Sequence, residues 1–257
     1  MKFLCLHGMG TNSEIHEAQL APIIAQLDPS FEFIYVDGLT TCRPASGVSG
    51  LFEGPFYCYY DKPTVETLES AYTLIKEVIE DEGPFHGIFG FSQGGALAAS
   101  LLLHHQKAAP HEPDLFNMAV FTCASLPFDI RSDQQSPLYN VVVNPLSGSI
   151  QVKGFSDTDI IEPVEVNGFI SPPAPGDIIL RRYHPDRENA RIRIPTVHIM
   201  GQDDPFLDQG RLLVELCGEM KSVVVHQKGH ELPRDRLTGK KIVSAIEATL
   251  AQAMSLF

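Results

Sequence analysis

The stretch Phe85-His86-Gly87-Ile88-Phe89-Gly90-Phe91-Ser92-Gln93-Gly94-Gly95-Ala96-Leu97-Ala98-Ala99 decides how this chain is read. Phe85 to Phe89 is a short apolar run of strand character, and residues 93 to 106 form a helical segment rich in small residues. Between them Gly90-Phe91-Ser92-Gln93-Gly94 spells G-x-S-x-G. Alone, that spelling arises by chance in roughly one chain in ten of this size at average glycine and serine usage. Its place at a strand-to-helix junction gives it meaning, because a serine there sits in a tight, strained turn whose neighbours two residues away must be small. The helix N-terminus behind Ser92 adds partial positive charge where an anionic oxygen would form. An ordinary glycine-containing turn is the alternative reading, and the strand-turn-helix context favours a nucleophilic serine.

Strands and helices alternate on both sides of this turn. Residues 2 to 6 read as a buried strand, Thr11-Asn12-Ser13-Glu14 as a capping box opening a helix to about Leu27, and Phe31 to Val36 as a second strand. Residues 37 to 63 are irregular and aromatic-rich, and a helix then runs from Val65 to Gly83-Pro84. After Ser92 the strands Phe116 to Thr122, Thr196 to Met200 and Ser222 to His226 alternate with helices near 208 to 217 and 237 to 254. This order predicts one domain over 1–257: a doubly wound, mostly parallel sheet with helices on both faces. Residues 125 to 193, rich in Pro, Gly and Asp, are too long for a simple connection and read as a lid-like insertion.

A serine hydroxyl needs a base within hydrogen-bond reach and an acid to fix the base's tautomer. In a sheet of this kind both should follow the serine and lie just beyond strand ends. His230, in the loop Gly229-His230-Glu231, is the expected base, ahead of His226, which still belongs to its strand. Asp203 and Asp204, in Gly201-Gln202-Asp203-Asp204-Pro205, are both open as the acid, while Asp208 suits a cap of the next helix. Leu6-His7-Gly8-Met9-Gly10 reads as an oxyanion loop, with the amides of Met9 and Gln93 as the two donors and His7 as a structural residue. A phosphate-cradling turn is disfavoured there because Ser13 stands where G-x-G-x-x-G needs its last glycine.

Composition narrows the function further. With 32 acidic and 19 basic residues the formal charge is −13, which disfavours nucleic acid and anionic membrane surfaces as partners. Cys5, Cys42, Cys58, Cys123 and Cys217 are scattered singly without zinc-site spacing, so they read as free thiols, Cys5 and Cys123 as small strand hydrophobes. No metal or organic cofactor is expected. No stretch approaches the roughly 18 apolar residues of a membrane span, and the start of the chain lacks a complete signal-peptide core, so a cytoplasmic protein is expected.

Leu4-Cys5-Leu6-His7-Gly8, Gly90-Phe91-Ser92-Gln93-Gly94-Gly95, the segment from Ile194 to Pro205, and Gly229-His230 together resemble the FSH family of serine hydrolases, over nearly the whole chain. That resemblance implies an α/β-hydrolase fold, and its G-x-x-D-P element selects Asp204 over Asp203. It implies a small-molecule acyl ester or thioester substrate, with a polyketide-type acyl chain on a carrier protein and secondary metabolism as the specific expectation. A general carboxylesterase, an acyltransferase that excludes water, and a non-catalytic small-molecule binder are the alternatives. Phe52, Phe56, Tyr57, Tyr59 and Tyr60, with Leu126, Pro127 and Phe128, are expected to wall an apolar acyl pocket.

Overall fold

A computed structural model describes residues 1–130, 138–143, 150–154 and 178–256. In chain order the elements are β1 (Lys2–Leu6), α1 (Ser13–Ile24), β2 (Glu32–Val36), β3 (Thr40–Thr41), β4 (Tyr57–Cys58), α2 (Val65–Glu82), β5 (Gly87–Phe91), α3 (Gln93–Ala108), β6 (Met118–Thr122), β7 (Leu138–Val143), β8 (Ile150–Gly154), β9 (Ile178–Leu180), β10 (Thr196–Gly201), α4 (Leu207–Glu215), β11 (Lys221–His226) and α5 (Arg236–Met254).

Six strands form a parallel sheet in the order β11-β10-β6-β5-β1-β2. The period-two alternation of β1 explains how it is covered. Leu4 and Leu6 pack with Leu68, Ile75, Leu97 and Leu101 of α2 and α3, and Phe3 and Cys5 pack on the opposite face with Leu20, Ile23, Ile242 and Ile246 of α1 and α5. The expected doubly wound, mostly parallel sheet is therefore present. From β1 the chain moves outward to β2, then returns across the sheet to β5 and winds towards β11. Connections diverge at the carboxyl ends of β1 and β5, which opens a crevice at that point.

Local chemistry moves some boundaries. Asn12, not Thr11, caps α1: its Oδ1 accepts the Ile15 N–H at 2.8 Å, while the Thr11 hydroxyl donates to Gly8 O at 2.6 Å and so is committed to the preceding loop. The helix ends at Ile24 rather than Leu27, because Gln26 and Leu27 close tighter turns on Ile23 and Ile24. The region read as irregular, 37 to 63, contains the antiparallel ribbon of β3 and β4.

Within 125 to 193, β7, β8 and β9 form an antiparallel sheet in the order β8-β7-β9. The ends of this insertion meet: Phe128 and Arg182 form an antiparallel bridge, flanked by Asp129 N–H to Arg181 O at 2.7 Å and Tyr183 N–H to Pro127 O at 2.8 Å. The rest of the expected lid, residues 131–137, 144–149 and 155–177, lies outside the described residues.

Two buried histidines make the fold acid-sensitive. Burial pushes the pKa of His16, in α1, and of His198, in β10, from 6.5 to about 3. Below pH 6.5 the unfolded chain therefore binds two protons that the folded chain refuses, and stability falls as pH falls. Each group adds a slope of about 1.4 kcal/mol per pH unit, so going from pH 6.5 to 4.5 should cost roughly 5 kcal/mol. Urea unfolding midpoints across this range should drop steeply, and less so in His198→Gln; a flat profile would mean that both rings are reached by protons in the folded state.

Candidate active site

The crevice brings together residues from four strand ends. Ser92, between β5 and α3, has φ 52° and ψ −114°, a conformation that L residues rarely hold without support. Close packing supplies it. A Cβ on Gly94 would fall 2.3 Å from Leu6 O, so only glycine lets α3 start this close to the end of β1. The backbone N–H of Ser92 donates to Thr122 O at 2.9 Å, tying the turn to β6.

His230 reaches Ser92 from the loop after β11, with Nε2 2.8 Å from Oγ. Its Nδ1 lies 3.0 and 2.9 Å from the two carboxylate oxygens of Asp204. A carboxylate only accepts, so Nδ1 carries the proton and Nε2 is left to accept the serine hydroxyl. Phe91 and Phe206 flank the imidazole, each with ring centroids 5.3 Å away. The loops bearing Asp204 and His230 are pressed together at Gly201, where an added Cβ would stand 2.1 Å from Gly229 O.

The Asp204 side chain is 2% exposed. Burial alone would raise its pKa, but the hydrogen bond and charge of His230, the Phe206 N–H at 2.8 Å and the Cys123 thiol together hold it below the ordinary value. Asp203, one residue earlier, is exposed to solvent. The geometry thus separates two aspartates that residue type alone leaves equivalent. His226 is buried at the end of β11, its Nδ1 accepting the Lys228 N–H at 3.3 Å. Asp208 is not a cap: it lies in the first turn of α4, paired with Arg211 at 3.0 Å.

Met9 and Gln93 both line the cavity at Ser92, and neither backbone N–H donates to another group among the described residues. His7 is structural as expected: its buried ring accepts the Gly38 N–H at Nε2, 3.0 Å, which leaves Nδ1–H for Gly8 O at 2.7 Å. The side chain of Gln93 has a role that sequence reasoning missed. Its Oε1 accepts from Tyr59 N–H at 2.9 Å and its Nε2 donates to Tyr60 O at 2.8 Å, fixing the segment after β4 against the turn. A polar side chain inside an otherwise apolar and small-residue stretch was the available signal.

Cys123 also does more than pack. It follows β6 with φ 48°, and its sulfur lies within 4.8 Å of the Asp204 carboxylate and the His230 imidazole. Among the described residues these three are the one group close enough to suggest a metal site. Burial pushes the thiol pKa up, so it stays protonated, and His230 Nδ1 is already committed to the carboxylate. Both facts set the trio against a cation, which needs a thiolate and a free imidazole nitrogen.

The cavity at Ser92 has a volume of about 400 Å³. Of the aromatic and apolar residues expected to wall it, Tyr60 and Phe128 do, joined by Phe206; Phe52, Phe56, Tyr57, Leu126 and Pro127 do not line it. Tyr59 is instead a core residue, 1% exposed, donating from its hydroxyl to Val36 O at 2.8 Å. Arg43 and Arg182 complete part of the wall.

A family model described as "Serine hydrolase (FSH1)" matches residues 1–242. "Esterase alnB" of Emericella nidulans is 35% identical, with 91% of this chain and 90% of that protein covered. "Esterase FPY3" of Fusarium mangiferae is 30% identical with 99% of both covered, and "Hydrolase FUB4" of Fusarium oxysporum f. sp. lycopersici is 34% identical with 91% and 92% covered. A solved monoacylglycerol lipase from Paleococcus ferrophilus superposes with a TM-score of 0.54 at 16% identity, covering 98% of this chain and 94% of that one. Arabidopsis thaliana SOBER1 superposes with a TM-score of 0.51 at 14% identity, covering 99% of both. At these identities the solved structures speak to the α/β-hydrolase fold alone.

Proposed function

The chain belongs to the FSH1 family of serine hydrolases and is an esterase by that membership, and from this we propose that it cleaves acyl esters or thioesters through an acyl-serine intermediate. The observation that carries the proposal is the continuous hydrogen-bonded line from Asp204 through His230 to Ser92, at 2.9 and 2.8 Å. In the first half-reaction Ser92 Oγ attacks the acyl carbonyl as His230 Nε2 takes the hydroxyl proton. Asp204 stabilises the imidazolium, and the Met9 and Gln93 amides hold the oxyanion beside the start of α3. The imidazolium protonates the departing alkoxide or thiolate. Water, deprotonated by the same imidazole, then attacks the acyl-serine, releasing the acid and restoring Ser92. No metal or organic cofactor enters this scheme.

The acid assignment is separable by experiment. Asp204→Asn should lower kcat about a thousandfold or more by losing the correct imidazole tautomer, with Asp203→Asn within a few-fold of wild type. Steady-state rates on an activated ester read the difference; an inactive Asp203 variant would reverse the assignment.

The finer proposal is a polyketide-type acyl group released from a carrier in secondary metabolism. Its support is the family resemblance, the apolar surface of Tyr60, Phe128 and Phe206, and the return of the 125–193 insertion to the cavity rim at Phe128 and Arg182. Each buried methylene contributes about 0.8 kcal/mol, so medium-length acyl thioesters should exceed acetyl thioesters by at least about tenfold in kcat/KM. Equal rates across chain lengths would favour a general carboxylesterase.

A further inference from the structure

We propose that Arg43 selects esters carrying an anionic group, a carboxylate or a phosphate. This rests on the ester-cleaving reading of the same cavity. The chain has 32 acidic and 19 basic residues, so a wall drawn from it at random would hold more carboxylates than cations. The wall around Ser92 reverses that bias: among the described residues it contains Arg43 and Arg182 and no Asp or Glu. Asp204, whose carboxylate reaches the cavity residue His230, is 2% exposed and turned to that imidazole.

The two arginines are held differently. Arg182 is stacked over the Phe128 ring at 4.1 Å and donates to Ser125 Oγ at 3.4 Å and to the Leu126 carbonyl. Arg43 is solvent-exposed, and its side chain makes no hydrogen bond or ion pair among the described residues. Its backbone is nonetheless anchored, because Cys42 N–H donates to Phe56 O at 2.8 Å and Ala45 N–H to Gly10 O at 2.9 Å. The second of these bonds ties the backbone of the Arg43 loop to the Met9–Gly10 turn, which bears one of the two proposed oxyanion donors.

A guanidinium binds carboxylate or phosphate through paired N–H donors. The net charge of −13 opposes an approaching anion only weakly, since salt screens it beyond about 8 Å, whereas Arg43 acts at contact. An anionic group on the substrate thus gains more at contact than it loses on approach.

Four esters test this in matched pairs. The first pair carries charge on the acyl side: mono-4-nitrophenyl adipate against its methyl-capped diester. The second carries it on the alcohol side: the hexanoyl ester of 4-hydroxyphenylacetate against that of its methyl ester. In one pair the anion should exceed its neutral partner by about tenfold in kcat/KM, with the ratio falling as salt rises; the pair that responds identifies the side. Arg43→Gln should collapse that ratio towards one, and Arg43→Lys, which keeps the charge but not the paired donors, should retain only part of it. Neutral partners preferred or equal in both pairs, or a ratio unmoved in Arg43→Gln, overturns the proposal. Fluorophosphonate labelling of Ser92 and cleavage of the neutral esters are read on the same samples. If these persist while the charge preference is absent, only the anion inference fails; if no ester is cleaved, both readings fail.

Discussion

Substituting Ser92 with alanine is expected to lower kcat for ester hydrolysis by at least about a thousandfold and to abolish fluorophosphonate labelling, with the fold intact. The other hydroxyl-imidazole contacts among the described residues are Thr11 with His7 at 3.3 Å and Thr196 with His198 at 3.1 Å. Both lie in the protein interior, where no substrate carbonyl arrives. Intact-mass and peptide mapping of the labelled protein check the assignment, and an adduct on a different hydroxyl would disprove it. The same position carries a second readout. Alanine keeps the Cβ at φ 52°, whereas glycine removes it. Ser92→Gly should therefore be about 1 kcal/mol more stable than Ser92→Ala, as strain held for function is released.

Replacing His230 by alanine is expected to reduce kcat by about three to four orders of magnitude, because in the proposed mechanism the serine loses its base and the leaving group its acid. His226→Ala should cost activity far less. Its ring lies at the end of β11 with a buried Nε2 that meets no hydrogen-bond partner among the described residues, so its loss should appear in the unfolding midpoint before it appears in turnover. A fall in kcat at His226 matching that at His230 would transfer the role of base to the strand residue.

The parts of the molecule that the sequence makes legible are those fixed by local pattern. Apolar runs such as 2–6 and 196–200 are strands buried on both faces, and the small residues after Ser92 are the helix that packs on them. What local pattern leaves open is set by tertiary contact. Thr11 and Asn12 are both good caps, and Thr11 is excluded only because its hydroxyl is taken by Gly8. Tyr59 and Tyr60 are neighbours of like type, yet one fills the core and the other faces the cavity. Cys123 reads as a strand hydrophobe, and its closeness to Asp204 arises from the β6-β10 pairing, across some eighty residues of chain. Arg43 and Arg182 carry no motif at all; they become neighbours of Ser92 through the loop pinned to Gly10 and the bridge at Phe128.

That bridge makes the excursion between its two halves a cassette. Because Phe128 and Arg182 are already paired, whatever lies between them can change in length or composition while the chain still enters and leaves at one place. The cost of lengthening such a loop grows only slowly, about 0.6 kcal/mol for each doubling. Grafting the corresponding span from a relative between residues 130 and 180 would then exchange that span and leave the Asp204-His230-Ser92 line in place, a route by which one core can carry excursions of different length and chemistry.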